Sequence, residues 1–256
     1  MDNINDIILQ KLSEIEEKEN VRILHCAESG SRAWGFASPD SDYDVRFIYV
    51  RPIEFYLKLE NTSDVIEWQL DETLDINGWD IQKALRLLYK SNPTLFEWKN
   101  SPIVYKTTKQ WLGMSDTINE YFNIGSAVYH YLNAARNNYK PLMKAENVKL
   151  KKYFYVLRPI LACKWVLDKK TPPPVLFAEL FRAELEKDLI PIINQLLEAK
   201  ARTSELGTAK SIAPLNDYID AQLEEIQARL DSLECDRNSD WDKLNSVFIS
   251  IIKDSF

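Results

Sequence analysis

The sequence has little of several residue types on which particular classes of protein depend. It contains 2 histidines and 3 cysteines in 256 residues, so a multi-histidine centre is excluded and any metal ion should be hard and oxygen-ligated. Cys26, Cys163 and Cys235 are odd in number and far apart, which excludes a disulfide framework or a CxxC zinc site, and we interpret them as buried hydrophobic residues. The 6 glycines and 11 prolines are too few for collagen, flexible linkers or low-complexity sequence.

Long apolar runs are missing as well. No stretch approaches the roughly 18 residues that span a bilayer, and the first six residues lack the basic and apolar regions of a targeting segment. We therefore expect a cytoplasmic protein with no membrane partner. With 45% hydrophobic residues, among them 7 Trp, 12 Tyr and 10 Phe, the composition is typical of a globular protein with a sizeable core.

The charge is unevenly distributed along the chain. A formal net charge of -7, from 32 basic and 39 acidic side chains, argues against indiscriminate binding of nucleic acid. Residues 141–170 nevertheless carry eight basic and two acidic side chains. We call this segment the basic island.

Hydrophobic periodicity predicts an α+β protein in which the two kinds of element are segregated. In the first part of the chain it predicts a helix over 3–18, strands over 21–27, 42–50, 64–70 and 74–79, and helices over 81–89 and after Pro93. After about residue 107 the strand signals end, and helices are predicted near 107–122, 125–140, 147–168, 176–199 and 214–254. Pro159 is expected to kink or end the third of these.

One arrangement has a clear chemical interpretation. Gly30 and Ser31 are followed, after ten intervening residues, by Asp42 and Asp44 at the start of an apolar strand. Since side chains alternate along a strand, the two carboxylates should project to the same side, roughly 6.5–7 Å apart, and can converge on Mg²⁺. Gly30 lets the backbone approach a phosphate, and Ser31 adds a hydroxyl and an N–H. The alternative is a turn before an ordinary strand, in which an acidic pair would be costly to bury without a cation.

The same residues carry a resemblance to a known family. Ala27–Ser31 with Ser41–Val45 resembles the signature of the DNA polymerase beta-like nucleotidyltransferase superfamily. Further stretches resemble its RNA-repair-associated branch, which is found beside RNA ligases: residues 29–36, 78–84, 91–93, 97–98, 101–105, 151–159 and 172–174. The resemblance implies a nucleotidyltransferase domain with a small mixed sheet over residues 1–106, followed by an all-helical bundle domain over 107–256.

The resemblance also implies a reaction. A nucleoside monophosphate would pass from a nucleoside triphosphate to an acceptor hydroxyl, with release of pyrophosphate and with two Mg²⁺ ions, or Mn²⁺, held by three carboxylates. Asp42 and Asp44 match the first two. For the third we predict Asp80, with Asp75 and Glu67 as rivals; the alternative for Asp80 is an N-cap of the following helix.

A second group of residues is predicted to bind the nucleotide. Arg32 can pair with the triphosphate or face solvent, whereas Trp34 and Phe36 are better explained as core anchors of their loop. On the helix within the basic island, Lys152 and Tyr153 share a face and Arg158 lies on the adjoining one, so lysine and arginine can grip phosphate while tyrosine stacks a base. A solvated helix face with tyrosines in the bundle is the alternative. We predict that the basic island faces the aspartates.

Three functions are therefore compatible with the sequence. The first is metal-dependent nucleotidyl transfer to an acceptor that the resemblance suggests is an RNA end. The second is adenylylation of a protein or a small molecule by the same loop and aspartates. The third is a non-catalytic, antitoxin-like interaction module, against which the intact Gly30-Ser31 and Asp42/Asp44 motif argues.

Overall fold

The computed structural model describes residues 3–71, 73–142, 147–202, 208–234 and 240–256. The chain divides into two compact units. Met1–Ala33, Asp42–Tyr121 and Arg237–Phe256 form the first, the sheet unit, and Trp34–Ser41 with Phe122–Asp236 form the second, the helical unit.

The elements follow in chain order. Up to residue 120 they are α1 (Ile4–Glu19), β1 (Arg22–Glu28), α2 (Gly30–Ala33), β2 (Tyr43–Val50), α3 (Ile53–Tyr56), β3 (Val65–Leu70), β4 (Leu74–Asp80), α4 (Ile81–Tyr89), α5 (Pro93–Lys99), β5 (Val104–Thr107), α6 (Lys109–Gly113) and α7 (Ser115–Glu120). Thereafter they are α8 (Ile124–Tyr139), β6 (Asn147–Lys149), α9 (Lys151–Lys169), α10 (Phe177–Glu184), a 3-10 turn (Lys187–Leu189), α11 (Ile190–Arg202), β7 (Thr208–Lys210), α12 (Ala213–Asp231) and α13 (Trp241–Ser255).

The sheet unit is built on five strands in the order β3-β4-β2-β1-β5. β2 and β4 run parallel, and the other neighbouring pairs are antiparallel, so the sheet is mixed. The apolar side chains of α1, Ile8, Leu12 and Ile15, belong to the same buried cluster as Val45, Phe47 and Tyr49 of β2. Because side chains alternate along a strand, Asp44 and Arg46 project from the other face.

A glycine allows close packing at the centre of this sheet. Gly78 lies opposite Phe47 in the parallel β2–β4 ladder, and a Cβ atom at Gly78 would come 2.2 Å from the Phe47 ring. Any larger residue would displace the buried aromatic ring, so this position requires glycine.

The helical unit is organised around α9. Twelve of the side chains of this helix are buried, which makes it the central element of a core shared with α8, α10, α11 and α12. The helix continues through Pro159 to Lys169, so of the two expected outcomes, a kink or an end, the end is wrong; packing on both sides of the proline outweighs the loss of one backbone hydrogen bond. None of the described helices is long and apolar enough to cross a membrane.

The boundary between the units differs from the predicted division at residues 106 and 107. α13 lies in the sheet unit, where Trp241 stacks on Tyr89 with ring centroids 3.8 Å apart and Phe248 packs against Tyr56. The segment 34–41 lies in the helical unit instead. The predicted separate helical domain over 107–256 is therefore not confirmed.

Two short strands also interrupt the part of the chain that was predicted to be entirely helical. β6 and β7 pair antiparallel, from Asn147 with Lys210 to Lys149 with Thr208. Three residues each are too few to give a periodic signal. Cys26 and Cys163 are free and buried, as expected, and Cys235 lies outside the described residues.

Candidate active site

The site is centred on β2 and β4, on the sheet face opposite α1. In the parallel ladder Asp44 lies opposite Asp75, and Arg46 lies opposite Asn77. Residues that face each other in a ladder project to the same side of the sheet. Two strands therefore bring two carboxylates and a guanidinium together on one partly exposed surface.

Arg46 connects the two carboxylates directly. Its Nη2 donates to Asp44 Oδ1 at 2.7 Å and to Asp75 Oδ2 at 2.5 Å, and its Nη1 donates to the backbone oxygen of Asp75 at 2.8 Å. Asp75 Oδ1 also accepts a hydrogen bond from the Asn77 amide at 3.3 Å. The side chain of Arg46 is 14% exposed, so these bonds are largely shielded from water.

Gly30 forms the second wall of the site, at the start of α2. Its φ of +58° is in the left-handed region that favours glycine. A Cβ atom at this position would lie 1.8 Å from Asp44 Oδ2. Ser29 N–H donates to Asp44 O at 2.8 Å, which keeps the loop against β2. The group that lies closest to this position is the Asp44 carboxylate, and the approach of a phosphate stays a prediction.

Glu28 is a site residue that the sequence analysis did not identify. Its side chain is buried; Oε1 accepts from the Asp44 backbone N–H at 2.8 Å, and Oε2 accepts from the Tyr105 hydroxyl. Burial raises the pKa of Glu28, while these two donors lower it. Glu28 therefore holds the backbone of Asp44 in place through the hydrogen bond to its Oε1. The sequence feature that could have identified Glu28 is its position directly before Ser29-Gly30.

The pKa of Asp44 is affected by the charges of the groups around it. Burial raises the pKa of Asp44 most, the charge of Arg46 lowers it, and the negative charges of Asp42 and Asp75 raise it further. Asp42 itself is exposed. A cation placed among these three side chains would relieve their mutual repulsion.

Arg32 and Ser31 complete the loop. Arg32 Nε donates to the backbone oxygen of Asp42 at 3.0 Å, and its guanidinium lies 3.6 Å from the centre of the Tyr43 ring. Ser31 is buried, with 6% of its surface exposed. The structure therefore places Gly30 beside Asp44 and Arg32 beside the Asp42 carbonyl, while the binding roles of Ser31, Arg32 and Asp42 stay predictions.

The prediction that Asp80 joins this group needs correction. Asp80 lies opposite Tyr49 in the ladder, on the face that carries the α1 core, and it is five residues beyond Asp75, or about 16 Å along the strand. Its Oδ1 accepts from Gln82 N–H at 2.7 Å and its Oδ2 from the Tyr56 hydroxyl at 2.9 Å. Asp80 is the N-cap of α4, and of the rivals it is Asp75 that lies opposite Asp44.

A pH experiment tests this assignment of Asp80. Burial raises its pKa from 3.8 to about 6, so its ionisation opposes folding, and wild-type stability should fall as pH rises from about 4 to about 6. Asp80→Asn cannot ionise. The unfolding free energy of the wild type relative to that of Asp80→Asn should therefore fall by roughly 2–3 kcal/mol across this window. Urea unfolding at several pH values measures it; a constant difference would show that Asp80 is not buried as a carboxylate.

Asp42, Asp44 and Asp75 have the donor chemistry that a hard divalent cation prefers, but in this structure they are not arranged to hold one. Asp42, Asp44 and Asp75 supply only carboxylate oxygens, and the missing Cβ of Gly30 leaves backbone beside Asp44. Within the described ranges, no group of three or more His, Cys, Asp or Glu side chains is arranged to hold a metal ion, and Arg46 lies between Asp44 and Asp75. Glu67, the other rival, is exposed on β3 opposite Asn77.

The nucleotide-binding residues predicted in the basic island belong to the helical unit, and two of them need correction. Tyr153 is fully buried; its hydroxyl donates to Asn216 Oδ1 at 2.9 Å and accepts from Ile212 N–H at 2.9 Å. It therefore cannot stack a base. Arg158 is 3% exposed, and its guanidinium packs 4.4 Å from the centre of the Trp34 ring. Lys152 is half-buried at the start of α9, and its role stays a prediction.

The aromatic residues after the loop are core anchors, as expected. Phe36 is buried, and its ring lies 5.1 Å from Phe154 and 5.6 Å from Phe177. The backbone oxygen of Trp34 accepts a hydrogen bond from Phe177 N–H at 2.9 Å. These contacts attach segment 34–41 to the helical unit.

Comparison with known proteins identifies the family. Residues 4–250 match the family described as the RNA repair pathway DNA polymerase beta family. The chain is 42% identical over 251 residues to the uncharacterized protein YcgL of Bacillus subtilis (strain 168), covering 96% of each chain. A solved nucleotidyltransferase-like protein from Exiguobacterium sibiricum is 14% identical, with a TM-score of 0.31 over 90% of this chain and 75% of that one. The family match, which spans nearly all of the sequence and includes every site residue described above, shows that this chain belongs to the RNA repair pathway DNA polymerase beta family.

Proposed function

We propose that the protein is a metal-dependent nucleotidyltransferase that transfers a nucleoside monophosphate from a nucleoside triphosphate to the hydroxyl of an RNA end and releases pyrophosphate. Membership of the family supports nucleotidyl transfer in general. The observation that carries the proposal is the packing of Gly30 against Asp44, with Asp75 opposite on the neighbouring strand. This arrangement places a glycine loop and carboxylates at one point, as phosphate chemistry requires.

Asp42, Asp44 and Asp75 would hold the divalent ions. When bound, such ions neutralise charge on the phosphates and favour the deprotonated acceptor hydroxyl. The protein contributes orientation. Glu28 and Ser29 fix the Asp44 backbone on both sides, so that this carboxylate is held ready before substrate binds.

The loop would position the phosphates. Gly30 brings the main chain to the carboxylates without a side chain between them, and Ser31 follows at the first turn of α2. Arg32 is held by Tyr43 and the Asp42 carbonyl, so its positive charge stays beside the aspartates. A fixed cation there would stabilise the developing charge on the leaving pyrophosphate.

The third carboxylate can be tested by comparing two substitutions. Asp75→Asn should lower turnover by about a hundredfold or more, because it removes a charge from the metal-binding group. Asp80→Asn should leave turnover near the wild-type rate, since Asp80 caps α4 on the other sheet face and Asn is itself a good N-cap. Initial rates under saturating nucleotide decide between them. Equal loss in both variants would contradict the assignment of Asp75.

Incubation with each labelled nucleoside triphosphate and Mg²⁺ or Mn²⁺ tests the activity. The acceptors are RNA with a free 3′ hydroxyl, the same RNA with that hydroxyl blocked, and protein without RNA. We expect label to join only the unblocked RNA, in equal amount to the pyrophosphate released, and Asp44→Asn to give none. Label on protein would instead favour adenylylation. No transfer under any condition, with no stabilisation by nucleotide, would favour a non-catalytic interaction module.

A further inference from the structure

The position of Arg46 has a consequence for metal binding. Asp44 and Asp75 lie directly opposite each other on parallel strands, and the backbones of neighbouring strands are about 4.8 Å apart. Their side chains are 23% and 22% exposed. Two carboxylates this close and this shielded repel each other unless a cation lies between them.

Arg46 supplies that cation from within the sheet. A single nitrogen, Nη2, donates to both carboxylates, at 2.7 Å and 2.5 Å. Its Nη1 donates to the Asp75 carbonyl, so the guanidinium is held in one orientation. Asp44 thereby uses Oδ1 for Arg46, while its Oδ2 lies against Gly30. A divalent ion shared by Asp44 and Asp75 would have to bind beside this guanidinium, which already takes one oxygen of each carboxylate.

We propose that Arg46 is a resident counter-ion that competes with the divalent metal for Asp44 and Asp75. It is a positioning residue: it keeps the two carboxylates together when metal is absent, and its positive charge opposes the binding of a second cation between them. The metal affinity of the free protein is then weaker than the carboxylates alone would give. The inference rests on the proposed function in taking this group as the metal-binding one.

The test measures Mn²⁺ binding to the full chain without nucleotide, after removal of metal by a chelator. Isothermal titration compares wild type with Arg46→Gln, which keeps a polar side chain but removes the charge. We expect Arg46→Gln to bind Mn²⁺ at least about tenfold more tightly, since a competing charge is gone. In chelator it should melt at a lower temperature than wild type, and Mn²⁺ should raise its melting temperature more.

Two further variants control for folding and for general charge. Arg46→Lys keeps the positive charge but has one nitrogen in place of the two that donate hydrogen bonds from Arg46, so its Mn²⁺ affinity should lie between those of wild type and Arg46→Gln. If Arg46→Gln does not fold, Arg46→Lys still tests whether residue 46 competes with the metal. Arg86→Gln removes one positive charge from an exposed position on α4 and should leave Mn²⁺ affinity within about twofold of wild type.

The outcomes separate this inference from the proposed function. Suppose that the wild type binds Mn²⁺ and that Asp42→Asn does not. Unchanged or weaker Mn²⁺ binding in Arg46→Gln and Arg46→Lys would then overturn the competition, while metal-dependent transfer would still stand. Binding by Arg46→Gln but not by wild type would support the competition in its strongest form. Failure of every variant to bind Mn²⁺, together with no labelled transfer, would overturn both.

Discussion

Asp44→Asn should lower the rate of nucleotidyl transfer by at least about a thousandfold, which corresponds to the loss of roughly 4 kcal/mol of transition-state stabilisation. Asp44 is contacted by more of the described site residues than its neighbours on the same sheet face are. Gly30 and Arg46 contact its carboxylate, and Glu28 accepts a hydrogen bond from its backbone N–H. The amide is nearly the same size but has no charge and only one oxygen, so it is a poor metal ligand. Single-turnover assays with labelled nucleotide measure the effect.

The fold should survive this substitution. Burial and two neighbouring carboxylates raise the pKa of Asp44, so replacing it with a neutral side chain removes repulsion as well as the bond to Arg46. Asp42→Asn should show a comparable loss of activity, whereas Asp116→Asn, at an exposed position on α7, should show none. Near-normal rates in both Asp42→Asn and Asp44→Asn would mean that the metal-binding group has been placed wrongly.

The local part of the site could be predicted because its residues are close in sequence. Gly30, Ser31, Asp42 and Asp44 lie on one loop and around the start of one strand, so the contact between Gly30 and Asp44 needs no long-range register. Asp42 precedes β2, and its alignment with Asp44 stays a prediction. Asp75 and Asp80 are five residues apart on the same strand, so only one of them can share a face with Asp44. Which one depends on the register between β2 and β4, which sequence periodicity does not contain.

The helical part shows the same limit at a larger scale. The face of α9 was predicted from its own sequence, yet Tyr153 is bound by Ile212 and Asn216, about sixty residues away. Likewise α13 has the pattern of a bundle helix, but its aromatic residues pack on Tyr56 and Tyr89 of the sheet unit. An amphipathic pattern predicts that a helix has a buried face and does not identify the partner that buries it.

Gly30→Ala should lower the transfer rate by about a hundredfold or more while the protein remains folded. The new Cβ would lie 1.8 Å from Asp44 Oδ2, so either the carboxylate or the loop must move, and a displacement of about 1 Å at a reacting group can cost this much in rate. The φ of +58° adds roughly 1–2 kcal/mol of backbone strain. The melting temperature should therefore fall by a few degrees, while activity falls far more.

Gly113→Ala is the matched control for this substitution. Gly113 ends α6, its Cβ would meet nothing within 4 Å, and it is not among the glycines with positive φ. Because alanine favours a helix more than glycine does, stability should stay the same or rise by up to about 1 kcal/mol, with full activity. Far-UV circular dichroism, thermal melting and transfer rates are measured for both variants. Full activity in Gly30→Ala would contradict this prediction. It would mean that transfer does not require the Asp44 carboxylate to lie directly against the backbone of Gly30.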